Sequence, residues 1–241
     1  GILARWPKAA SPVFDTVNDA LRRAAARLVF GPPLDAHVLL DQADFVVGLD
    51  DDVLGAGPRQ AAQVRAWAQR RQAYQRRVSE SRLFIAEPVP SPTGLRAERR
   101  LIASTAEIGA LAQTIAVALG VLPGPAPDLP EPATAWAVAC ADLLRRHGNR
   151  ALLTVGPWHA PEIQALGHLI NAAIGALGVT LAFTEPLPEG DSFAALVADM
   201  KASRVDTLAI LGCNPVHAAP AGLGFASALD RVPFRLQAGL Y

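Results

Sequence analysis

The stretch ADFVVGLDDDVLGAGP, residues 43–58, decides the fold class. Its apolar run at residues 45–49 has the length and composition of a buried strand, and a polar loop and a helical pattern follow it. Similar apolar runs alternate with helical patterns along most of the chain. Such alternation is typical of a parallel sheet with crossover connections. The sequence therefore predicts an α/β fold with crossover helices on both faces of the sheet, in a three-layer αβα arrangement.

The same patterns predict where the strands and helices lie. We expect strands at residues 45–49, 83–87, 151–155, 179–183 and 207–211, with a weaker one at 234–237. We expect helices at residues 13–28, 59–75, 106–119, 133–146, 161–177, 192–203 and 221–229. Pro161 suits the first position of its helix, because the N–H group that proline lacks would have no partner there.

A proline-rich segment, LPGPAPDLPEP at residues 122–132, predicts an extended connector. It separates a first α/β lobe at residues 1–121 from a second α/β lobe at residues 133–241. Either lobe alone would have too few strands for an independent sheet. We therefore expect the two sheets to join or to pack tightly.

The composition excludes several classes of protein. The chain has 241 residues, of which 51% are hydrophobic and 18% charged, so it can bury a large core. Its 22 basic and 22 acidic residues balance, so nucleic acid is not an expected partner. Two cysteines, Cys140 and Cys213, are too few to hold an iron–sulfur cluster. No apolar stretch has the length of a transmembrane helix, and the start without methionine leads us to expect a fragment or a processed form.

Two loops that follow predicted strands differ in chemistry. Residues 43–58 align without a gap with VDTLAILGCNPVHAAP, residues 205–220, and ligands of open α/β sheets bind beyond such strand ends. In the second loop Gly212 permits close backbone approach, while Asn214 and the helix start that follows offer hydrogen-bond donors to a phosphate. In the first loop each carboxylate of Asp50, Asp51 and Asp52 would repel a phosphate by about 3 kcal/mol. These aspartates form either a site for Mg²⁺ or Ca²⁺ or a helix cap with solvated charge.

A group of arginines forms the main concentration of basic charge, at Arg70, Arg71, Arg76 and Arg77. These side chains form either a contact surface for an acidic partner, a redox subunit or lipid head groups, or a solvated helix face. His159 lies in a loop beyond a predicted strand end, where a titrating group would matter, but we expect it to be a surface histidine.

Several stretches resemble the molybdopterin oxidoreductase family. GCNPVHAAP, which begins at Gly212, is similar to the family's Gly-x-Asn-Pro loop, which lines the site of the pterin guanine dinucleotide. Residues 85–120 resemble the family's strand, Asp-Pro, threonine-containing turn and long helix, and residues 154–183 resemble its helix with an asparagine and a Gly-x-x-Gly exit. The resemblance is closer still to the iron–sulfur subunit of alternative complex III, a bacterial quinol-oxidising membrane complex.

The resemblance implies that six positions belong to a vestigial cofactor site: Glu87, Thr93, Gly156, Gly212, Asn214 and Pro215. Glu87 stands where the family has an aspartate that reads the guanine edge, and its extra methylene moves the carboxylate outward. The acidic loop at Asp50–Asp52 stands where the family has a loop on the phosphate side. No catalytic residue is implied in this segment.

In that subunit the molybdopterin-enzyme-like part has lost its cofactor, and a ferredoxin-like part carries the iron–sulfur clusters. The resemblance therefore implies a Rossmann-like scaffold or assembly domain without a cofactor of its own, in electron transport of a bacterial respiratory chain. It implies iron–sulfur clusters elsewhere in the full chain and, as partners, the other subunits of a membrane-bound oxidoreductase complex. It also implies a position peripheral to the cytoplasmic membrane, on its periplasmic side, without a membrane span.

Two other interpretations stay open. In the first, the chain is a fragment of a catalytic oxidoreductase that uses molybdopterin guanine dinucleotide, and other domains complete the site. In the second, the chain is a nucleotide- or anion-binding module that uses the loop at residues 212–215. The first interpretation predicts copurified pterin in the full chain, and the second predicts anion affinity in this segment alone.

Overall fold

A computed structural model describes residues 2–13, 18–76, 81–186 and 191–239. The chain divides into two compact units. The large unit is Asp19–Pro186, and the small unit combines Gly1–Asn18 with Leu187–Tyr241. The helices are α1 (Ile2–Arg5), α2 (Ala20–Phe30), α3 (Gln60–Gln75), α4 (Thr105–Leu119), α5 (Glu131–His147), α6 (Pro161–Ala173), α7 (Phe193–Lys201), α8 (Pro215–Ala218) and α9 (Phe225–Leu229). The strands are β1 (Asp35–Val38), β2 (Phe45–Leu49), β3 (Arg82–Glu87), β4 (Arg99–Ile102), β5 (Ala151–Val155), β6 (Leu181–Thr184), β7 (Thr207–Leu211) and β8 (Phe234–Ala238).

The large unit is built on a four-stranded parallel sheet in the order β4-β3-β2-β5. At the centre of the sheet, Val47 of β2 lies opposite Phe84 of β3 and Leu153 of β5. Every residue of β2 is buried, as the continuous apolar run of a strand covered on both faces requires. The predicted α/β class is confirmed.

Side chains that alternate along β2 enter two separate cores. On one face, Phe45, Val47 and Leu49 pack with the buried sides of α4, α5 and α6. On the other face, Val46 packs with Trp67 of α3 and with residues around the β1–β6 pair. The predicted three-layer arrangement is therefore confirmed in the large unit.

Two short strands of the large unit were not predicted. β1 pairs antiparallel with β6, and β4 is an edge strand beside β3. Their sequences, DAHV and RRLI, contain charged residues and no apolar run, and none of their residues is fully buried. The central strands β2 and β5, by contrast, were predicted with the bounds observed.

The small unit contains a parallel pair of strands, β7 and β8, with α7, α8 and α9. Its core includes Val197 and Met200 of α7, with Phe225 and Ala228 of α9. The segment near the amino terminus joins this unit, because the main-chain N–H of Ser11 donates to the Asp191 carboxylate at 2.6 Å.

Several predicted helix bounds are corrected. The helix predicted at residues 13–28 begins at Ala20, after Asn18 and Asp19, and residues 14–17 of that prediction lie outside the described residues. The helix predicted at residues 161–177 ends at Ala173, because Gly175 has a φ of 77°. The helix predicted at residues 221–229 is a 3₁₀ turn and α9, separated by Gly224, whose φ of 62° is left-handed.

The predicted lobe boundary at residues 122–132 falls inside the large unit. β5, which follows this segment, pairs with β2, and α5 packs against α4. The expectation that the two sheets join holds for β5, whereas β7 and β8 form a sheet of their own. Within the described ranges, no helix has the length and apolar character needed to cross a membrane.

Candidate functional site at the strand ends

The candidate site lies at the carboxyl ends of β2, β3 and β5 in the large unit. From β2 the chain proceeds to β3 and β4 on one side of the sheet, while β5 lies on the other side. The strand order therefore reverses between β2 and β5, and open α/β sheets bind ligands at this point. The loop with Asp50–Asp52 follows β2, and the loop with Gly156–His159 follows β5.

Asp50 connects these two loops. Its carboxylate oxygen Oδ2 accepts hydrogen bonds from Nε1 of Trp158 at 2.7 Å and pairs with Nε2 of His159 at 3.0 Å. Its backbone has a φ of 52°, and its N–H donates to the carbonyl of Ala86 at 2.7 Å. His159 is only 4% exposed, so the expectation of a surface histidine is wrong.

Gly156 lies against the backbone of Asp50. A Cβ atom at this position would overlap the main-chain carbonyl oxygen of Asp50. The N–H of Gly156 donates to the carbonyl of Leu49 at 2.9 Å. A glycine is therefore required here for close backbone approach, but the approaching group is the protein's own loop.

Asp51 faces a different neighbour. Its Oδ1 lies 3.2 Å from Nη2 of Arg22 in α2, and the residue is 6% exposed. Burial raises the pKa of the Asp51 carboxyl above its ordinary value, and this effect outweighs the attraction of Arg22. The sequence gives no signal for this pair, because Arg22 lies in an ordinary amphipathic helix.

Asp52 holds the loop that follows β3. Its Oδ1 accepts hydrogen bonds from the backbone N–H of Thr93 at 3.0 Å and from the Thr93 hydroxyl at 2.6 Å. The same hydroxyl oxygen accepts from the N–H of Leu54 at 2.9 Å. Thr93 is fully buried, so its side chain ties two loops together.

Glu87, at the end of β3, is 2% exposed. Its Oε1 accepts from Nε of Arg100 at 2.5 Å, and its Oε2 accepts from the hydroxyl of Ser91 at 2.5 Å. A Cβ atom at Gly94 would overlap this carboxylate. The two oxygens of Glu87 are therefore bonded to β4, through Arg100, and to the turn that contains Ser91.

The structure corrects both interpretations of the acidic loop. Three separate sets of donors bind the carboxylates of Asp50, Asp51 and Asp52. Among the described residues, no group of three metal-ligating side chains occurs. The alternative of a helix cap with solvated charge is also wrong, because Asp50 and Asp51 are buried and α3 begins only at Gln60. The loop instead links the carboxyl ends of three strands.

The loop at Gly212, Asn214 and Pro215 lies in the small unit. Gly212 has a φ of 70°, and its N–H donates to the carbonyl of Ala238 at 2.8 Å. Asn214 accepts through Oδ1 from the N–H of His217 at 3.3 Å, and Pro215 is the buried first residue of α8. The side chain of Asn214 therefore caps its own short helix.

The strand-end residues do not fit the pterin guanine dinucleotide that catalytic members of the resembled family bind. Glu87, the position for guanine recognition, is buried and paired with Arg100. Thr93 is buried against Asp52, and Gly156 is covered by the Asp50 backbone. Each of these positions would have to give up an internal contact before it met a ligand.

Two of the arginines proposed for a partner contact are bound within the large unit. Arg70 pairs with Asp44 and donates to the carbonyl of Ala43, while Arg71 pairs with Glu98. Arg76 is exposed, and Arg77 lies outside the described residues. The predicted contact surface therefore reduces to the end of α3.

Comparison with known proteins gives no family assignment. No protein-family model matches the chain, and the search of curated proteins returned no match.

Proposed function

We propose that this chain is the molybdopterin-enzyme-like part of an iron–sulfur electron-transfer subunit in a bacterial quinol-oxidising respiratory complex. Its role is that of a scaffold and assembly domain. The observation that carries this proposal is the set of internal bonds at the carboxyl ends of β2, β3 and β5. There Asp50, Asp52 and Glu87 accept hydrogen bonds from the protein itself.

The free-energy cost of opening this site supports the proposal. A buried carboxylate that loses its donors is left desolvated, and each such loss costs on the order of 1–3 kcal/mol. A dinucleotide would have to displace Arg100 from Glu87 and Thr93 from Asp52. These bonds favour a domain whose strand ends hold the fold together.

Redox chemistry, in this proposal, belongs to clusters carried elsewhere in the full chain. The two cysteines of this segment are free, Cys140 inside α5 and Cys213 on the surface of the small unit. The other subunits of the complex are the partners, and the domain is peripheral to the cytoplasmic membrane on its periplasmic side.

Elemental and pterin analysis of the full-length protein, purified from its native host, tests the proposal. We expect iron without stoichiometric molybdenum, tungsten or pterin, measured by elemental mass spectrometry and by fluorescence of the oxidised pterin. Iron in the same sample is the internal control for cofactor retention. Stoichiometric molybdenum or tungsten with pterin would overturn the proposal and favour the catalytic oxidoreductase.

Charge reversal tests the proposed contact surface at the end of α3. We expect the double substitution Arg76→Glu and Arg77→Glu to weaken assembly with the other subunits, measured by copurification of the complex. Arg65→Glu is the matched control, because Arg65 is exposed on the same helix outside the cluster. Intact assembly in the double variant would remove this surface from the proposal.

A further inference from the structure

A small cavity, partly open to solvent and lined by both apolar and polar residues, lies in the large unit between α2, β5, α6 and the β1–β6 pair. Its volume is about 50 Å³. Its polar lining is formed by Arg22, Asp51, Thr154, Gln164, His168 and Asn171. The cavity thus adjoins the point between β2 and β5 at which the strand order reverses.

Two buried atoms of the lining have no protein partner. Nε of Arg22 and the hydroxyl oxygen of Thr154 make no hydrogen bond of good geometry with any described residue. The Thr154 hydroxyl lies near the Asp51 carboxylate and partly offsets the rise in its pKa. It nevertheless makes no hydrogen bond of good geometry to that carboxylate. Buried polar atoms of this kind are normally satisfied by protein or by ordered water.

The amide side chains of Asn171 and Gln164, also in the lining, already have partners. The Asn171 amide pairs with both the N–H and the carbonyl of Leu153, at 2.9 and 2.7 Å. The Gln164 amide nitrogen donates to the carbonyl of His159 at 2.7 Å. The unsatisfied hydrogen-bonding capacity is therefore concentrated at Arg22 and Thr154.

Charge and size define what the cavity can hold. The positive charge of Arg22 is balanced by Asp51, and burial lowers the pKa of His168 to about 4, so this histidine is neutral at pH 7. The lining therefore favours a neutral occupant over an ion. Organic ligands occupy pockets of about 300–1,000 Å³, whereas a water molecule needs only about 10–15 Å³.

We propose that this cavity is a bound-water site, in which water accepts a hydrogen bond from Nε of Arg22 and bonds to the hydroxyl of Thr154. The water joins α2 to β5 and hydrates the partly buried pair of Arg22 and Asp51. It occupies the side of the fold where other α/β proteins bind an organic ligand. This site is independent of the proposed respiratory function.

A crystal structure of the 241-residue chain at high resolution tests the site directly. We expect an ordered water within hydrogen-bonding distance of both Arg22 Nε and Thr154 Oγ1. An empty cavity would overturn the proposal. Density for a bound anion or an organic molecule would overturn it as well, because the site would then have a different ligand class.

Substitution of Thr154 supplies a second test. Thr154→Val keeps the shape but removes one partner of the water, and we expect loss of the water and a Tm lower by about 2–6 °C. Thr154→Ser keeps the hydroxyl and should keep the water. Thr180→Val is the control for loss of a direct bond, because the Thr180 hydroxyl donates to the carbonyl of Ala151 at 2.7 Å. A Thr154→Val protein with a higher Tm would show that the hydroxyl is buried in a dry cavity and overturn the proposal.

Discussion

Asp50, Asp51 and Asp52 are neighbours in the chain, but each carboxylate is held by a different part of the large unit. Their partners are His159 and Trp158 after β5, Arg22 in α2, and Thr93 after β3. These partners are 29 to 109 residues away along the chain. Asp50 and Asp51 can therefore be buried and Asp52 half-buried, because folding brings a separate donor to each.

Gly156 is the residue at which close approach leaves no room for a side chain. We expect Gly156→Ala to lower the free energy of unfolding by about 3 kcal/mol, because its Cβ atom would displace the backbone of Asp50. Gly57→Ala is the matched control and should change stability by no more than about 0.5 kcal/mol, because nothing lies near its Cβ position. Urea denaturation measures both, and equal effects would show that the loop after β2 moves freely away from Gly156.

Asp51 should make stability depend on pH with a definite sign. Its pKa is raised in the folded state, so the folded protein binds this proton more tightly than the unfolded chain does. This contribution is present below the ordinary aspartate pKa and is lost as pH rises through the raised value. We expect the free energy of unfolding of the native protein, relative to Asp51→Asn, to fall as pH rises above the ordinary aspartate pKa of about 4. Parallel pH profiles of the two proteins, measured by denaturation, would contradict this expectation.

Arg22→Met is the companion variant for this titration. Arg22 opposes the effect of burial, so its removal should raise the Asp51 pKa further and extend the loss of stability to higher pH. Carboxyl NMR of Asp51 measures the shift directly. An unchanged midpoint would show that Arg22 has no electrostatic effect on Asp51.

At the scale of elements, α6 closes the outer edge of β5. The side-chain amide of Asn171 bonds to both the N–H and the carbonyl of Leu153, as a neighbouring strand would. The hydroxyl of Thr180 bonds to the carbonyl of Ala151 on the same edge. An edge strand with free backbone groups invites pairing with another chain, and these side chains prevent it.

We expect Asn171→Leu to lower the free energy of unfolding by about 2–5 kcal/mol, because it leaves two buried backbone groups of Leu153 without partners. Asn149→Leu is the control, since Asn149 is exposed, and should change stability by about 0.5 kcal/mol or less. Hydrogen exchange of the Leu153 amide should also become faster. Unchanged exchange would mean that the main chain of β5 is protected by another group.

Strands with a continuous apolar run were predictable from the sequence, whereas the short strands β1 and β4 were not. The runs at residues 45–49, 151–155 and 207–211 are strands with the predicted bounds. β1 and β4 have no such run, and none of their residues is fully buried. The place of the candidate site beyond β2 was also predictable from the sequence. Its ion pairs were not, because no local pattern marks partners such as Arg22 and Arg100.

In the whole molecule, the compact units do not have the boundary that the order of elements along the chain suggested. The proline-rich segment at residues 122–132 suggested a boundary, but it connects α4 to α5, which pack together. β5 then returns to the sheet beside β2. The large unit therefore needs residues from both sides of this segment.

We expect the fragment 19–186 to fold alone, because it contains the four-stranded sheet, the β1–β6 pair and helices α2 to α6. Fragment 1–121 is the control and should not unfold cooperatively. It lacks β5 and α5, so β2 loses one strand partner and part of the cover over Phe45, Val47 and Leu49. Urea denaturation, with hydrogen exchange of the β2 amides, measures both fragments. If fragment 1–121 unfolds cooperatively and fragment 19–186 does not, the domain boundary lies at the proline-rich segment. In that case β2, β3 and β4 form a core without β5.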